Sequence, residues 1–387
     1  MSDFESLLSN KLKDREQQGL TRQRLSLQSA QSNSIKIDDK NFLNFSSNDY
    51  LGLANNPDTL YAIKNQLEQS GFGSGASHLI CGHHQIHQDL ENALAKFLQR
   101  GSAITFSSGY MANLAILQSL ASKGDLILSD KLNHASIIDG AKLSDAQSLR
   151  YPHCDLAALE SRLKKQAVNK WVVTDSVFSM DGDIAPLREI VELCKKYEAN
   201  LIVDDAHGFG VLGKNGRGCI EHFELSQSDC VVVMGTFGKA LGGYGAFVSG
   251  GHALTSYLEQ FARPYIYTTA LPPAVAAGNL YNLRLIESKP QLRNKLIENI
   301  KYFKLQCANK KIDMFDSQTA IQPIKVGNTK KLLRLDKKLK ENGILVGAIR
   351  PPTVPPNGDR LRITLSASHD FEQINHLIEQ LNKYINL

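Results

Sequence analysis

Two residues in this chain are placed where they could serve one reaction. Asp204 ends the apolar run Leu201–Val203, and Lys239 lies in the turn Gly235–Thr236–Phe237–Gly238 that follows Val231–Met234, 35 positions further on. A lysine amine forms a Schiff base with an aldehyde, and a carboxylate can hold a pyridine nitrogen protonated. That pair suits pyridoxal 5′-phosphate, whose protonated ring takes up the charge of a carbanion. Neither residue is decisive alone: an aspartate after a strand often caps a helix or forms an ion pair, and most lysines are solvated. A nucleotide P-loop at Lys239 is excluded, because GxxxxGK[ST] needs glycine at 233 and Ser or Thr at 240, where the chain has Val233 and Ala240.

Further polar residues fall at the ends of apolar runs. His207 shares the turn of Asp204 and could donate to a phenolic oxygen, although a lone histidine there is more often structural. Thr236 offers a hydroxyl to a phosphate. Ser107–Ser108–Gly109–Tyr110 opens the helical stretch Met111–Leu120, and a helix start with free N–H groups seats phosphate. His134, in Asn133–His134–Ala135–Ser136, could stack on a flat ring, and Ser179, in Val177–Gly182, could bond near its oxygen. Cys81, His83, His84 and His87 tempt toward a metal, since His83 and His87 are spaced i, i+4. The further ligands a zinc site needs are not visible, so a polar loop entering the helix Leu90–Leu98 is preferred and no metal is expected.

These residues need a scaffold that presents strand ends. Ala103–Phe106, Leu126–Leu128, Trp171–Thr174, Leu201–Val203, Cys230–Met234 and Ala246–Val248 read as buried strands. Leu90–Leu98 and Pro186–Tyr197 have helical spacing, with Pro186 suited to a first turn. Strands alternating with helices predict an α/β fold with a mostly parallel sheet. After about residue 285 the pattern becomes α+β: a helix Lys330–Glu341, strand-like Ile344–Ile349 and Leu361–Leu365, and a final helix striped by Phe371, Ile374, Leu377, Ile378 and Leu381. The expected division is an arm over 1–45, a large domain over 46–285 and a small α+β domain over 286–387.

Composition removes several classes of function. Hydrophobic content of 42% and charged content of 21% are ordinary for a globular protein. The net charge of +5 suits phosphate and carboxylate ligands, but the basic residues are scattered, so nucleic acid is not expected as a partner. No apolar run reaches the ~18 residues of a membrane span, and Met1–Asn10 lacks a signal core. A cytoplasmic protein is expected, with its six cysteines (81, 154, 194, 219, 230 and 307) as reduced thiols.

With these residues in view, the chain resembles the α-oxoamine synthase family of fold-type I pyridoxal-phosphate enzymes from about residue 20 to the end. The supporting text is Leu43–Leu53 (LNFSSNDYLGL), DSVFSMDGD at 175–183, DDAHGFG at 204–210 and TFGK at 236–239. The string 348–355 (AIRPPTVP) is similar to the branch that joins L-alanine to a pimeloyl thioester; aminoketobutyrate ligases and aminolevulinate synthases carry different text there.

The resemblance implies roles. Lys239 would be the Schiff-base lysine, Asp204 would hold the pyridine nitrogen, His207 and Ser179 the phenolic oxygen, and His134 would stack on the ring and polarise a ketone. Gly109 and Tyr110 would border the cofactor, and Thr236 would help bind phosphate. Asn48 and Arg362 would grip the amino-acid carboxylate; Arg22 and Thr353 would meet the acyl substrate or product. A homodimer is implied, with Gly71–Ser77 near the shared interface, and an acyl donor carried by coenzyme A or an acyl-carrier protein. The rival readings are another family member, such as a glycine C-acetyltransferase, and a non-catalytic relative that keeps the fold as a binding module.

Overall fold

The computed structural model of this chain describes residues 3–385, apart from Gly19 and Pro352. Its centre is a seven-stranded sheet in the order Ser102–Phe106, Ala246–Gly250, Val232–Thr236, Asn200–Asp204, Lys170–Asp175, Leu126–Asp130, Gln147–Tyr151. The strand Ala246–Gly250 runs antiparallel to both neighbours, and the remaining pairs are parallel. The apolar runs of the sequence form its middle: Leu126–Asp130, Val232–Gly235 and Ala246–Gly250 are buried throughout. Strands buried on both faces need helices on both sides, and two apolar layers separate accordingly. One contains Ile104, Ile116, Val173, Ile202 and Val248; the other contains Leu128, Val172, Leu187, Leu201 and Val233.

The pairing brings the carboxyl ends of the parallel strands to one edge. Asp175 lies beside Asp204, and Asp204 beside Met234, in direct register. Asp130, Asp175, Asp204 and Thr236 therefore end four parallel strands on the same rim, where ligands bind in open α/β sheets.

Two small sheets complete the molecule. Gly347–Ile349 and Ile321–Lys325 flank Arg360–Thr364 in an antiparallel sheet, which sets Arg360 and Arg362 on a central strand. The other sheet takes Ser34–Ile37 and Lys40–Asn44 from early in the chain and adds Ile344–Leu345 in parallel to Lys40–Asn44. The hairpin between the first two turns on Asp38 and Asp39, both left-handed at φ 47° and 60°, as a two-residue loop of type I′ requires. The helix Phe371–Tyr384 buries Ile374, Leu377, Ile378 and Leu381 and starts at a capping box built by Asp370 and Gln373. Among the described residues no helix is long and apolar enough to cross a membrane.

Candidate active site

At the carboxyl rim a cavity of about 180 Å³ is lined by thirteen residues, among them Gly109, Tyr110, His134, Ser179, Asp204, His207, Thr236 and Lys239. Those eight are the residues read from the sequence for the cofactor, and one hollow gathers them. Asn48 and Arg362 sit at its edge: Arg362 donates from Nε to the Ser179 carbonyl (2.6 Å) and from Nη2 to Asn48 Oδ1 (3.0 Å). Arg22 and Thr353 lie elsewhere, in a pocket of about 410 Å³ that also includes Arg15, Lys340, Arg350 and Asp336. The proline at 352, part of the string that carried the branch resemblance, lies outside the described residues.

Asp204 is buried, and its carboxylate accepts from the Ala206 N–H (3.0 Å) and from Asn113 Nδ2 (2.7 Å). The Asn113 amide also donates to Ser136 Oγ (2.9 Å), and Ser136 Oγ lies 2.7 Å from His134 Nδ1. His134 Nδ1 also accepts the Ser136 backbone N–H (3.3 Å), so it carries the lone pair and the imidazole proton sits on Nε2. The ring of His134 caps the helix Ala135–Leu143 and is held at the cavity wall with one side exposed. Burial lowers the His134 pKa, Asp204 opposes this and Lys239 adds to it, so neutral imidazole is favoured.

Lys239 keeps some exposure as a residue, but its amine is enclosed. Burial brings its pKa down to about 8, against the charges of Asp204 and Asp175, which raise it. Asp175 does not stand out as a site residue in the sequence, yet it lines the cavity. One oxygen accepts the His134 backbone N–H (2.9 Å), and the other, Oδ1, is buried with no partner. Burial and then the Asp204 charge push its pKa well above the usual carboxylate range.

His207 contacts Tyr50, its Nδ1 2.5 Å from the phenol oxygen. Burial raises the Tyr50 pKa to about 12, so the phenol keeps its one proton; of its two acceptors, His207 Nδ1 at 2.5 Å and Asn48 Oδ1 at 3.3 Å, the nearer takes it, and His207 then presents Nε2–H as its remaining donor. Burial also holds the His207 pKa well below its usual value, with Lys239 and Arg362 acting in the same direction. Arg362 is buried and spends its nitrogens on neutral acceptors, including Thr364 Oγ1 (3.0 Å), with no carboxylate in ion-pair range among the described residues.

At the rim, Ser108 Oγ caps Met111 N (3.2 Å), while the N–H groups of Gly109 and Tyr110 have no partner in the helix they begin. Thr236 Oγ1 donates to the Gly245 carbonyl (2.9 Å) and accepts from Gly238 N (3.3 Å), so its hydroxyl also shapes the lysine turn. The second acid of the DDAH run turns away from the cavity. Asp205 accepts from Ser176 Oγ (2.5 Å) and Cys219 N (2.9 Å) inside the core.

The histidine cluster is wider than the sequence suggested. His78 joins His83 and His87, and its Nδ1 lies 2.8 Å from His83 Nδ1. His87 Nδ1 accepts the His84 N–H (2.9 Å) and its Nε2 donates to the Leu271 carbonyl (2.6 Å), so neither nitrogen has a lone pair left for an ion.

A lysine amine, a buried carboxylate, a neutral imidazole face, a second imidazole with a free N–H, unpaired N–H groups at a helix start and the orphan Asp175 oxygen match the donors and acceptors of pyridoxal phosphate. The chain belongs to the aminotransferase class I and II family, whose model matches residues 40–381. It is 47% identical to the 8-amino-7-oxononanoate synthase of Marinobacter nauticus, over 99% of this chain and 96% of that one. It is also 47% identical to the enzyme of the same name from Hahella chejuensis, over 97% of this chain and 96% of that one. Among solved structures, a serine palmitoyltransferase from S. paucimobilis with a bound PLP–myriocin aldimine superposes with a TM-score of 0.92 at 31% identity, covering 99% of this chain and 97% of the other. An 8-amino-7-oxononanoate synthase from Francisella tularensis matches with a TM-score of 0.79 at 39% identity, over 89% and 98% of the two chains. The architecture is thus that of a fold-type I transferase, and pyridoxal 5′-phosphate is its cofactor.

Proposed function

We propose that this chain is a C-acyltransferase that condenses L-alanine with a pimeloyl thioester and releases carbon dioxide, forming 8-amino-7-oxononanoate for biotin synthesis. The observation that carries the reading is the enclosure of the Lys239 amine in the same cavity as the Asp204 carboxylate. When bound, the cofactor supplies an aldehyde for an amine and a protonated ring that takes up negative charge from Cα. Asp204, fixed by Asn113 and the Ala206 N–H, would face the ring nitrogen. His207 Nε2–H would donate to the phenolic oxygen beside Ser179, and Gly109 and Tyr110 would present N–H groups to the phosphate with Thr236 nearby.

An amine whose pKa is brought down to about 8 gives up its proton near neutral pH far more readily than a solvated lysine, so Lys239 in its neutral form can accept the proton that leaves alanine Cα and return one later. Arg362 and Asn48 would grip the alanine carboxylate, the guanidinium exchanging neutral acceptors for an anion. His134, with its proton on Nε2, has a donor to offer a ketone oxygen while its face meets the ring. Arg22 and Thr353 would meet the acyl chain. Their pocket places Arg15, Arg22, Lys340 and Arg350 against one acid, Asp336, which suits the free carboxylate of a pimeloyl group.

A homodimer is part of this reading. Phe72 and Ile80, 87% and 79% exposed, flank the loop that reaches Ala270 through the Ala76 carbonyl (2.9 Å), and Tyr267 beside it is 72% exposed. Apolar residues in such density suit a face covered by a second copy. Six free thiols fit the cytoplasm. The test is to incubate the protein with alanine and either pimeloyl-CoA or pimeloyl-acyl-carrier protein and identify the product by mass. Whichever donor yields 8-amino-7-oxononanoate is the carrier. Turnover of glycine and acetyl-CoA in place of both would move the chain to the glycine C-acetyltransferases, and no turnover of any thioester by cofactor-loaded protein would make it a binding module.

A further inference from the structure

Ser179 reaches the cavity on a tight loop whose anchors come from two directions. The loop closes on itself through Phe178 N to the Asp183 carbonyl (3.0 Å) and Gly182 N to the Phe178 carbonyl (2.8 Å). From the small antiparallel sheet, Arg362 holds the Ser179 carbonyl (2.6 Å), and Arg360 pairs with Asp181. Just before that sheet, Thr319 Oγ1 donates to the Gly182 carbonyl (3.0 Å), and Ser317 Oγ lies equally close to it with its single proton shared between that carbonyl and the Ile321 carbonyl (2.6 Å). From the large sheet, the charged tie is His153, in the turn after Gln147–Tyr151.

His153 faces a carboxylate with each ring nitrogen: Nδ1 is 3.1 Å from Asp130 Oδ1, and Nε2 is 2.8 Å from Asp183 Oδ2. A neutral imidazole has one N–H and one lone pair, so it could donate to only one of them. Asp130 already acts as an acceptor on both oxygens, from Leu132 N (2.8 Å) and Cys154 N (2.8 Å). The other oxygen of Asp183, Oδ1, is buried with no hydrogen-bond partner, so the ring is the one side-chain donor to this carboxylate among the described residues. The ring therefore donates twice, as an imidazolium, with Phe178 edge-on at 4.4 Å. Burial lowers the His153 pKa, and the hydrogen bonds to Asp130 and Asp183 outweigh it, carrying it up to about 12. Asp130, His153 and Cys154 come within ligating distance of one another, but a ring that donates from both nitrogens has no lone pair for a metal.

We propose that His153 is a positioning residue: by bridging Asp130 and Asp183 it fixes the Phe178–Asp183 loop against the large sheet and so sets Ser179, and the Arg362 guanidinium bonded to it, at the cofactor cavity. Without that tie the loop keeps its root in the large sheet, through Ser176 N on the Asp204 carbonyl (2.8 Å) and the Val177–Ile184 bridge, but loses the charged hold on Asp183, and the cofactor's oxygen partner and the amino-acid grip drift together. The proposal rests on the function above only for the identity of the amino acid.

The test compares His153→Gln with the wild type in cofactor affinity, titrated on apo protein, in the absorption band of lysine-bound cofactor, and in KM for alanine against KM for the thioester. A charge-assisted hydrogen bond supports about a tenfold effect. The expected result is cofactor affinity weakened about tenfold, a displaced band and a raised KM for alanine with an unchanged thioester KM. A lower melting temperature with unchanged cofactor affinity, band and alanine KM would reduce His153 to a structural tie and overturn the proposal. Should His153→Gln not fold, Asp183→Asn keeps the His153–Asp130 pair and removes only the anion on the loop; it must show the same pattern. Because cofactor affinity needs no acyl donor, a wild type that fails to make 8-amino-7-oxononanoate would sink the assigned function and leave this inference to stand or fall by the titration.

Discussion

Asp175 and Asp204 stand side by side on adjacent parallel strands, in direct register, and both line the cavity that encloses the Lys239 amine. Two buried carboxylates so placed do not ionise independently. Asp204 has Asn113 and the Ala206 N–H on its oxygens, whereas Asp175 has one N–H and an orphan oxygen. Burial and the Asp204 charge drive Asp175 toward its protonated form. The register thus sets a carboxyl driven toward its acid form beside Asp204, whose two oxygens are each held by a donor and which is the residue proposed to face the ring nitrogen.

The two asparagine variants should therefore differ sharply. Asp204→Asn loses the anion and should lower kcat by at least ~100-fold, about 3 kcal/mol of barrier, with the cofactor still bound. Asp175→Asn imitates the neutral acid and still accepts the His134 N–H, so its kcat should stay within about tenfold of the wild type. Steady-state kinetics on both decides the matter, and an Asp175→Asn variant as crippled as Asp204→Asn would show that Asp175 acts as a charge.

Lys239 gives the apo protein a pH signature. Its folded pKa of about 8 lies below the unfolded value of 10.5. Between these values the unfolded chain holds the proton more tightly, so stability rises with pH across that window; the penalty is fully present below about pH 8. Lys239→Met removes the titrating group. Urea midpoints of the two apo proteins at pH 7, 8.5 and 10 should show the variant's advantage shrinking as pH rises, and parallel profiles would contradict an enclosed, uncompensated amine.

Tyr50 gives a third expectation. It is buried, and its phenol donates to His207 Nδ1. Tyr50→Phe keeps the ring packing and deletes the donor, at a cost of about 1 kcal/mol in stability. It also frees the His207 tautomer to move its proton to Nδ1, away from the cavity. Nitrogen NMR of the imidazole should show a mixed tautomer, and cofactor affinity should fall several-fold; an unchanged Nε2–H tautomer would mean that Tyr50 does not set it.

The sequence was most legible where one physical signal acted alone. Buried apolar runs marked six of the seven central strands, because a strand covered on both faces has no polar alternation to blur it. Gln147–Tyr151 escaped because, unlike the other edge strand Ser102–Phe106, it is mostly exposed, with only Tyr151 fully buried. Gly235 and Thr236, read as turn, extend the strand Val232–Thr236, since the ladder with Ala246–Gly250 overrides the weak strand preference of glycine. Pro186 stands at the N-cap of Leu187–Lys196 rather than inside its first turn. Ile344–Ile349, read as one strand, splits at Val346 because its halves pair with different sheets. In the cavity, Asp204 and Thr236 announced themselves at strand ends, while Asp175, a strand end too, and Asn113 did not; nor did Tyr50 and His153, which lie outside the cavity lining. Each acts through a partner distant in sequence, such as Asn113 on Asp204 or Tyr50 on His207, and local text carries no sign of it. The spacing of strand ends was readable; the hydrogen bonds that fix protons on particular nitrogens were not.

The Ser179 loop yields the last expectation. Gly182 has φ +70°, and a Cβ there would fall 2.4 Å from the Ile321 carbonyl oxygen and 2.6 Å from Ser317 Oγ. The left-handed backbone alone disfavours alanine by roughly 1 kcal/mol, and a clash with strand backbone cannot be relieved by turning a side chain. Gly182→Ala should lose at least ~2 kcal/mol of stability and, because Ser179 is three positions away on the same closed loop, weaken cofactor binding as well. Gly251→Ala is the control: its φ is −76° and its Cβ position meets only the flexible Gln227 amide, so it should change stability by less than ~1 kcal/mol. Melting and cofactor titration of the two variants separate a loop held in one shape from a loop free to adapt. If Gly182→Ala matched Gly251→Ala in both measurements, the carbonyl held beside Ser317 and Thr319 would not be fixing the loop, and the shape of the cofactor wall would have to come from somewhere other than residues 178–183.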